Sequence, residues 1–165
     1  QAVVSIDKNI ISNADYVILP GVGSAQMVMQ SLISNNLVNV IKSLTQPVLG
    51  ICVGMQILFN SSEEQNCKCL GLINDDIKKF NLPKDKAVPH MGWNKVIFES
   101  EQLLSNYYYF ANSYYAPITK DTTGICEYGI EFSATVQKDN FFGCQFHPEK
   151  SSNSGIKFIQ NFLNY

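Results

Sequence analysis

Gly50-Ile51-Cys52-Val53-Gly54 places one cysteine between two glycines, each two residues away. Pro47-Val48-Leu49 precedes it and Met55-Gln56-Ile57-Leu58-Phe59 follows, so the stretch reads as strand, sharp turn, helix. It is the thiol form of the G-x-S-x-G nucleophile elbow, in which a strained turn lifts the nucleophile to the top of a sheet. Glycines belong at both flanks because a side chain there would collide with the tightly turned backbone. A helix that starts at the cysteine aims N–H groups and the positive end of its dipole at the sulfur, which favours thiolate. Taken alone, the pattern also fits a buried structural cysteine between a strand and a helix, since free Cys is among the most buried residue types.

A second constellation weighs against that bland reading. Phe141-Phe142-Gly143-Cys144-Gln145-Phe146-His147-Pro148-Glu149-Lys150 is an aromatic, strand-like run that Pro148 should stop. In an extended segment side chains two apart share a side, so His147 and Glu149 are expected together at the strand's end. A carboxylate beside a histidine fixes its tautomer and stabilises the imidazolium, and a histidine beside a thiol takes its proton. The long separation from Cys52 is no obstacle, because such partners meet in the fold and not in the sequence. By itself His147 reads as a satisfied core histidine. With the elbow present, a Cys52-His147-Glu149 triad becomes the leading reading.

The chain resembles the class I, or triad-type, glutamine amidotransferases, and within them the glutaminase subunits of imidazole glycerol phosphate synthases. Leu19-Pro20-Gly21-Val22-Gly23 resembles the oxyanion loop, Gly50 to Phe59 the nucleophile segment, and Gln145 to Ser151 the second half of the triad. Val88-Pro89-His90-Met91-Gly92-Trp93-Asn94 resembles a signature of this subunit type, and Tyr109-Phe110-Ala111-Asn112-Ser113-Tyr114-Tyr115 a further family stretch. The resemblance implies hydrolysis of L-glutamine, with Cys52 as nucleophile, His147 as base and Glu149 as its orienter. It implies oxyanion donors at Val22 or Gly23 and at Val53, and glutamine held by Gln56, Glu64 and the Ser113-Tyr114 backbone. It places His90, Trp93 and Asn94 on the surface facing a cyclase-type synthase subunit, in a heterodimer that passes ammonia on. Read without the family, Gln56 could face solvent, Glu63-Glu64 could be a solvated charge pair, and Trp93 could be a core aromatic. The family usually opens with a further strand, loop and helix, whereas this chain opens at Gln1 without them. Asn112 stands where this subunit type usually has histidine, which keeps a paralogous amidotransferase serving another synthase in view. A silent docking subunit and a cysteine peptidase are the alternatives from other classes.

Composition agrees with this reading. The 165 residues suffice for one domain spanning 1–165 with a sizeable core. Net charge is −2 and all 12 cations are lysines, with no basic stripe carrying interleaved aromatics, so nucleic acid is not an expected partner. No apolar run approaches the ~20 residues of a membrane helix, and a cytoplasmic location with reduced thiols is expected. Cys67-Lys68-Cys69 lacks zinc-type spacing, so a metal is not expected, and the resemblance to the amidotransferases implies no cofactor. Strand-like Ala14 to Leu19 and Val48 to Ile51 alternate with helix-like Gln26 to Leu32 and Leu37 to Leu44. Strand-like Leu70 to Phe80, Asn94 to Phe98 and Tyr107 to Tyr115 follow. Glu131 to Gln137 and Asn140 to Phe146 read as a hairpin. A last helix opens at Ser154-Gly155, with Ile156, Ile159, Phe162 and Leu163 on one face. The pattern predicts an α/β domain, a three-layer mixed sheet flanked by helices, lacking the family's first strand-helix element.

Overall fold

The computed structural model describes residues 2–98 and 105–165; Gln1, where the reading placed the chain's opening, lies outside them. In chain order the first half runs α1 (Lys8–Ser12), β1 (Val17–Leu19), α2 (Ala25–Ser34), α3 (Val38–Lys42), β2 (Val48–Ile51), α4 (Val53–Gln56), β3 (Ser61–Ser62), β4 (Cys67–Lys68) and β5 (Asp76–Lys79). The second half runs β6 (His90–Phe98), β7 (Asn106–Asn112), β8 (Tyr114–Tyr115), β9 (Thr122–Glu127), β10 (Glu131–Lys138), β11 (Phe141–Cys144) and α5 (Ser152–Leu163). Short 3₁₀ turns cover Glu64–Asn66 and Pro148–Lys150.

Seven strands form one sheet in the order β1-β2-β11-β10-β9-β6-β7. The β1, β2 and β11 neighbours are parallel and the rest antiparallel, so the sheet is mixed. Both faces are covered, which is why β2 reads as a continuous apolar run. Val48 points into a core with Ala25 and Met29 of α2 and Ile41 of α3. Leu49, its neighbour, points into the opposite core with Phe158 and Phe162 of α5. That is the expected three-layer arrangement, and β1 and β2 fall where the sequence put them. The hairpin from β10 to β11 is also present.

Four expectations are corrected. Leu70 to Phe80 is not one strand: only Asp76–Lys79 is extended, in a small second sheet ordered β4-β3-β5-β8, and 70–75 is loop. Tyr107 to Tyr115 is split at Ser113, with β7 in the large sheet and β8 in the small one. The last helix buries Gly155, Phe158 and Phe162, while Ile156 and Leu163 are exposed. Burial there follows the steps of three and four from Gly155, whose missing Cβ lets the helix rest on the Pro148 carbonyl. Finally, the five-residue α1 stands where no element was expected; its N-cap Asp7 accepts hydrogen bonds from the Asn9 and Ile10 N–H groups. Among the described residues no helix is long and apolar enough to cross a membrane.

Candidate active site

Cys52 sits where β2 turns into α4, with φ +51° and ψ −108°. That conformation costs a non-glycine residue on the order of 1–3 kcal/mol and persists only where the surroundings enforce it. Close packing of backbone is what enforces it. A Cβ added to Gly50 would lie 2.3 Å from the Gly54 carbonyl oxygen, and one added to Gly54 would lie 2.1 Å from the Leu19 oxygen at the end of β1. A Cβ on Gly21 would lie 2.1 Å from the Ile51 oxygen, so the loop after β1 runs directly over the elbow. The glycine at Gly54 thus answers to the neighbouring strand as well as to its own turn. The Cys52 N–H donates to the Cys144 carbonyl at 2.7 Å, fixing the elbow to β11.

The sulfur is buried, and burial pushes the thiol up to about 11; the Val53 N–H and the Gln145 side chain act against this, while Glu149 and Glu64 add to it. The expected thiolate is therefore corrected. The four-residue α4 offers little dipole, and desolvation outweighs it.

A cavity of about 180 Å³ opens onto Cys52 and is lined by Gly23, Val53, Gln56, Glu64, Ala111, Asn112, Ser113 and Tyr114. Gln56 does not face solvent: it is buried, and its Nε2 donates to the Tyr114 carbonyl at 3.1 Å and to Gln145 Oε1 at 2.9 Å. Gln145 Nε2 in turn donates to Cys52 Sγ at 3.5 Å. Glu64 and Glu63 are not a free charge pair either. Glu64 Oε2 accepts from the Ala25 N–H at the start of α2, and Glu63 Oε2 from the Lys79 N–H, each at 2.7 Å. The Ser113 carbonyl accepts from the Phe80 N–H. Val22 projects from the glycine-rich loop, 85% exposed, and among the described residues neither its N–H nor that of Gly23 donates to protein.

His147 Nδ1 and Glu149 Oε1 are 2.7 Å apart. The pairing is as expected but its cause is different: β11 ends at Cys144, and Pro148–Lys150 curls into a 3₁₀ turn that brings the carboxylate back under the ring. Proline at the first position of that turn fixes its φ. The turn is tied to β7. The His147 N–H donates to the Tyr109 carbonyl at 2.8 Å, while buried Ser151 Oγ donates to the His147 carbonyl at 2.6 Å and accepts from the Tyr109 N–H at 2.9 Å. Cys52 and His147 lie beyond the same ends of parallel neighbours β2 and β11, but among the described residues no hydrogen bond joins them.

The three residues expected at a partner surface separate. Trp93 is 52% exposed, edge-on to Tyr109, and shares its face of β6 and β7 with exposed Met91, Ile97 and Tyr107. Asn94 is half-buried and donates to the Glu127 carbonyl and toward His90 Nε2. His90 is buried, stacked between Tyr128 and Phe110, and burial pulls its pKa down to about 4. Alternation along β6 explains this, since 90 and 94 point inward and 91, 93 and 97 outward. Asn112 is buried in the cavity wall and donates to the Tyr114 carbonyl. Sequence reading missed the roles of Gln145 and Ser151. The signal for Gln145 was present, as the one polar side chain inside the run Phe141 to Phe146. Among the described residues no group of His, Cys, Asp and Glu could hold a metal.

Comparison with known proteins agrees with this geometry. The family described as "Glutamine amidotransferase class-I" matches residues 2–164. The imidazole glycerol phosphate synthase subunit HisH of Bacteroides fragilis (strain ATCC 25285) is 44% identical over 169 residues, covering 99% of this chain and 86% of that protein. The subunit of the same name from Escherichia coli (strain K12) is 46% identical over 170 residues, covering 97% and 85%. A crystal structure of a glutamine amidotransferase matches with a TM-score of 0.74 at 14% identity, over 97% of this chain and 83% of that one. The acivicin-bound glutaminase domain of Trypanosoma brucei CTPS matches with a TM-score of 0.62 at 13% identity, over 95% and 74%. With an intact elbow, a His-Glu pair beside it and a family match that spans the described fold, the chain belongs to the class I glutamine amidotransferases.

Proposed function

We propose that this chain is the glutaminase subunit of an imidazole glycerol phosphate synthase, hydrolysing glutamine in the cytoplasm and passing ammonia to a cyclase subunit in histidine biosynthesis. The observation that carries the reading is the cavity in which Cys52, Gln56, Glu64, Ser113 and Tyr114 converge. Its lining combines a nucleophile, backbone N–H groups and a carboxylate. Cys52 and the N–H groups of Val53 and Gly23 would serve the carboxamide, and the Glu64 carboxylate the α-ammonium. Cys52 Sγ, its proton taken by His147, attacks the carboxamide carbon and generates an oxyanion, which the N–H of Val53 and that of Val22 or Gly23 stabilise. The intermediate collapses to a thioester as His147 protonates the departing nitrogen, releasing ammonia. Water, deprotonated by His147, then attacks the thioester and frees glutamate and the thiol. Glu149 holds the imidazole in the required tautomer throughout.

Two features favour dependence on a partner. Burial holds the Cys52 thiol well above the usual thiol range, which disfavours the thiolate in the isolated chain. The exposed face of Met91, Trp93, Ile97 and Tyr107 has the aromatic centre favoured in interface cores. It lies on β6 and β7, and β7 also binds the His147 turn. Glutamate release by the purified chain, alone and with a cyclase subunit plus its acceptor ligand, tests the reading. A marked rise with the partner is expected, reflecting a coupling on the order of 1–3 kcal/mol, and Trp93→Ala should weaken ammonia transfer more than glutamine binding. Full activity of the isolated chain, indifferent to any synthase, would contradict it.

A further inference from the structure

Cys52 Sγ has a side-chain hydrogen-bond donor that the triad does not account for. Gln145 is fully buried at the end of β11, and its Nε2 lies 3.5 Å from the sulfur. Its other end accepts from Gln56 Nε2 at 2.9 Å, and Gln56 Nε2 donates its second hydrogen to the Tyr114 carbonyl at 3.1 Å. A carboxamide can present either end, so the direction of such a chain has to be settled somewhere. Here a backbone carbonyl settles it, because it can only accept. Tyr114 therefore requires the amino end of Gln56, Gln56 requires the oxygen of Gln145, and Gln145 is left with its amino group on the sulfur. Turning Gln145 over would set two buried N–H donors against each other and leave one of them unsatisfied.

We propose that Gln145 is a further catalytic residue, the donor that stabilises the Cys52 thiolate, and that the Tyr114 carbonyl, acting through Gln56, fixes the direction of that donation. The proposal rests on the reading of Cys52 as nucleophile. The network suits the anion better than the thiol, because a thiol proton finds no acceptor in it. The other groups acting on the sulfur are the Val53 N–H, which also favours thiolate, and Glu149 and Glu64, which oppose it; the Cys144 thiol is buried behind it, and His147 heads the turn that carries Glu149. The chain also reaches the cavity wall. Asn112 Nδ2 donates to the same Tyr114 carbonyl at 2.9 Å, so a shift of residues 112–114 re-aims the donor on the sulfur.

The test is the rate of Cys52 alkylation by iodoacetamide at about pH 8, read by peptide mapping with Cys126 as internal reference, because thiolate is the reacting form. Gln145→Met removes the donor with little change of shape. Gln145→Glu keeps an acceptor for Gln56 and puts a carboxylate, which opposes thiolate as Glu149 and Glu64 do, in the donor's place. Each should lower the Cys52 rate about tenfold, equivalent to one unit in pKa, with the near-ultraviolet circular dichroism unchanged. Rates within about twofold of the parent would overturn the proposal. If Gln145→Met does not fold, Gln145→Leu, which removes the donor without adding a charge, decides. Failure of the parent chain to hydrolyse glutamine with a synthase would defeat the glutaminase reading separately, since alkylation needs no turnover.

Discussion

The elbow at Cys52 and the turn at His147 lie beyond the same edge of one sheet, yet they are held in different proportions by close packing and by hydrogen bonds. The elbow is fixed by backbone against backbone. Gly21, Gly50 and Gly54 each sit where a single added carbon would meet a carbonyl oxygen, and the sulfur is buried among apolar neighbours. The turn has one such contact, the Pro148 carbonyl against Gly155, and is otherwise fixed by hydrogen bonds: Ser151 and the Tyr109 backbone clamp the His147 main chain, and Glu149, 57% exposed, holds the ring. Close packing gives one geometry or none. Hydrogen bonds to an edge strand can be re-made when that strand moves. We expect the nucleophile to be the more rigid side and the base the more adjustable.

Breaking the rigid side should have the larger effect. Gly50→Ala forces a Cβ to within 2.3 Å of the Gly54 oxygen, so the backbone must shift, and a loss of about 3 kcal/mol or more in unfolding free energy is expected. A denaturant titration measures it, and a midpoint unchanged from the parent would show that the elbow is not held by close packing. Breaking the adjustable side should cost less stability and more activity. Ser151→Ala leaves the Tyr109 N–H without its acceptor, for a loss of about 1–3 kcal/mol. Its glutaminase kcat should fall while KM for glutamine stays near the parent value, because Ser151 does not line the cavity. A rise in KM alone would place Ser151 on the substrate side.

The same contrast explains what the sequence made legible. The elbow is local: two glycines around a cysteine, with apolar runs on both sides, suffice to find it, and β2 and the start of α4 followed. The spacing of His147 and Glu149 was readable, but the 3₁₀ turn that joins them was not, because extended and turned backbones both bring residues two apart together. Gln145 acts on Cys52 and Ser151 on the Tyr109 N–H, both far away in the chain, which no periodicity records. The thiolate expectation failed because burial of the sulfur is a property of the whole core, and desolvation outweighs one short helix. Residues 70–75 read as strand on apolar content alone, although Leu70 and Ile73 are buried from a loop. His90 and Trp93, three residues apart in one motif, face opposite sides of β6, a distinction visible once the strand is extended back to residue 90.

Covalent labelling of the chain by a diazo-ketone analogue of glutamine, with the cyclase subunit present and modified peptides mapped, tests the central claim most directly. All five cysteines are free and buried, so general accessibility does not favour Cys52. The account predicts modification at Cys52 first, prevented by excess glutamine. Modification at Cys67 or Cys69 first, or labelling of Cys52 that glutamine does not slow, would contradict it.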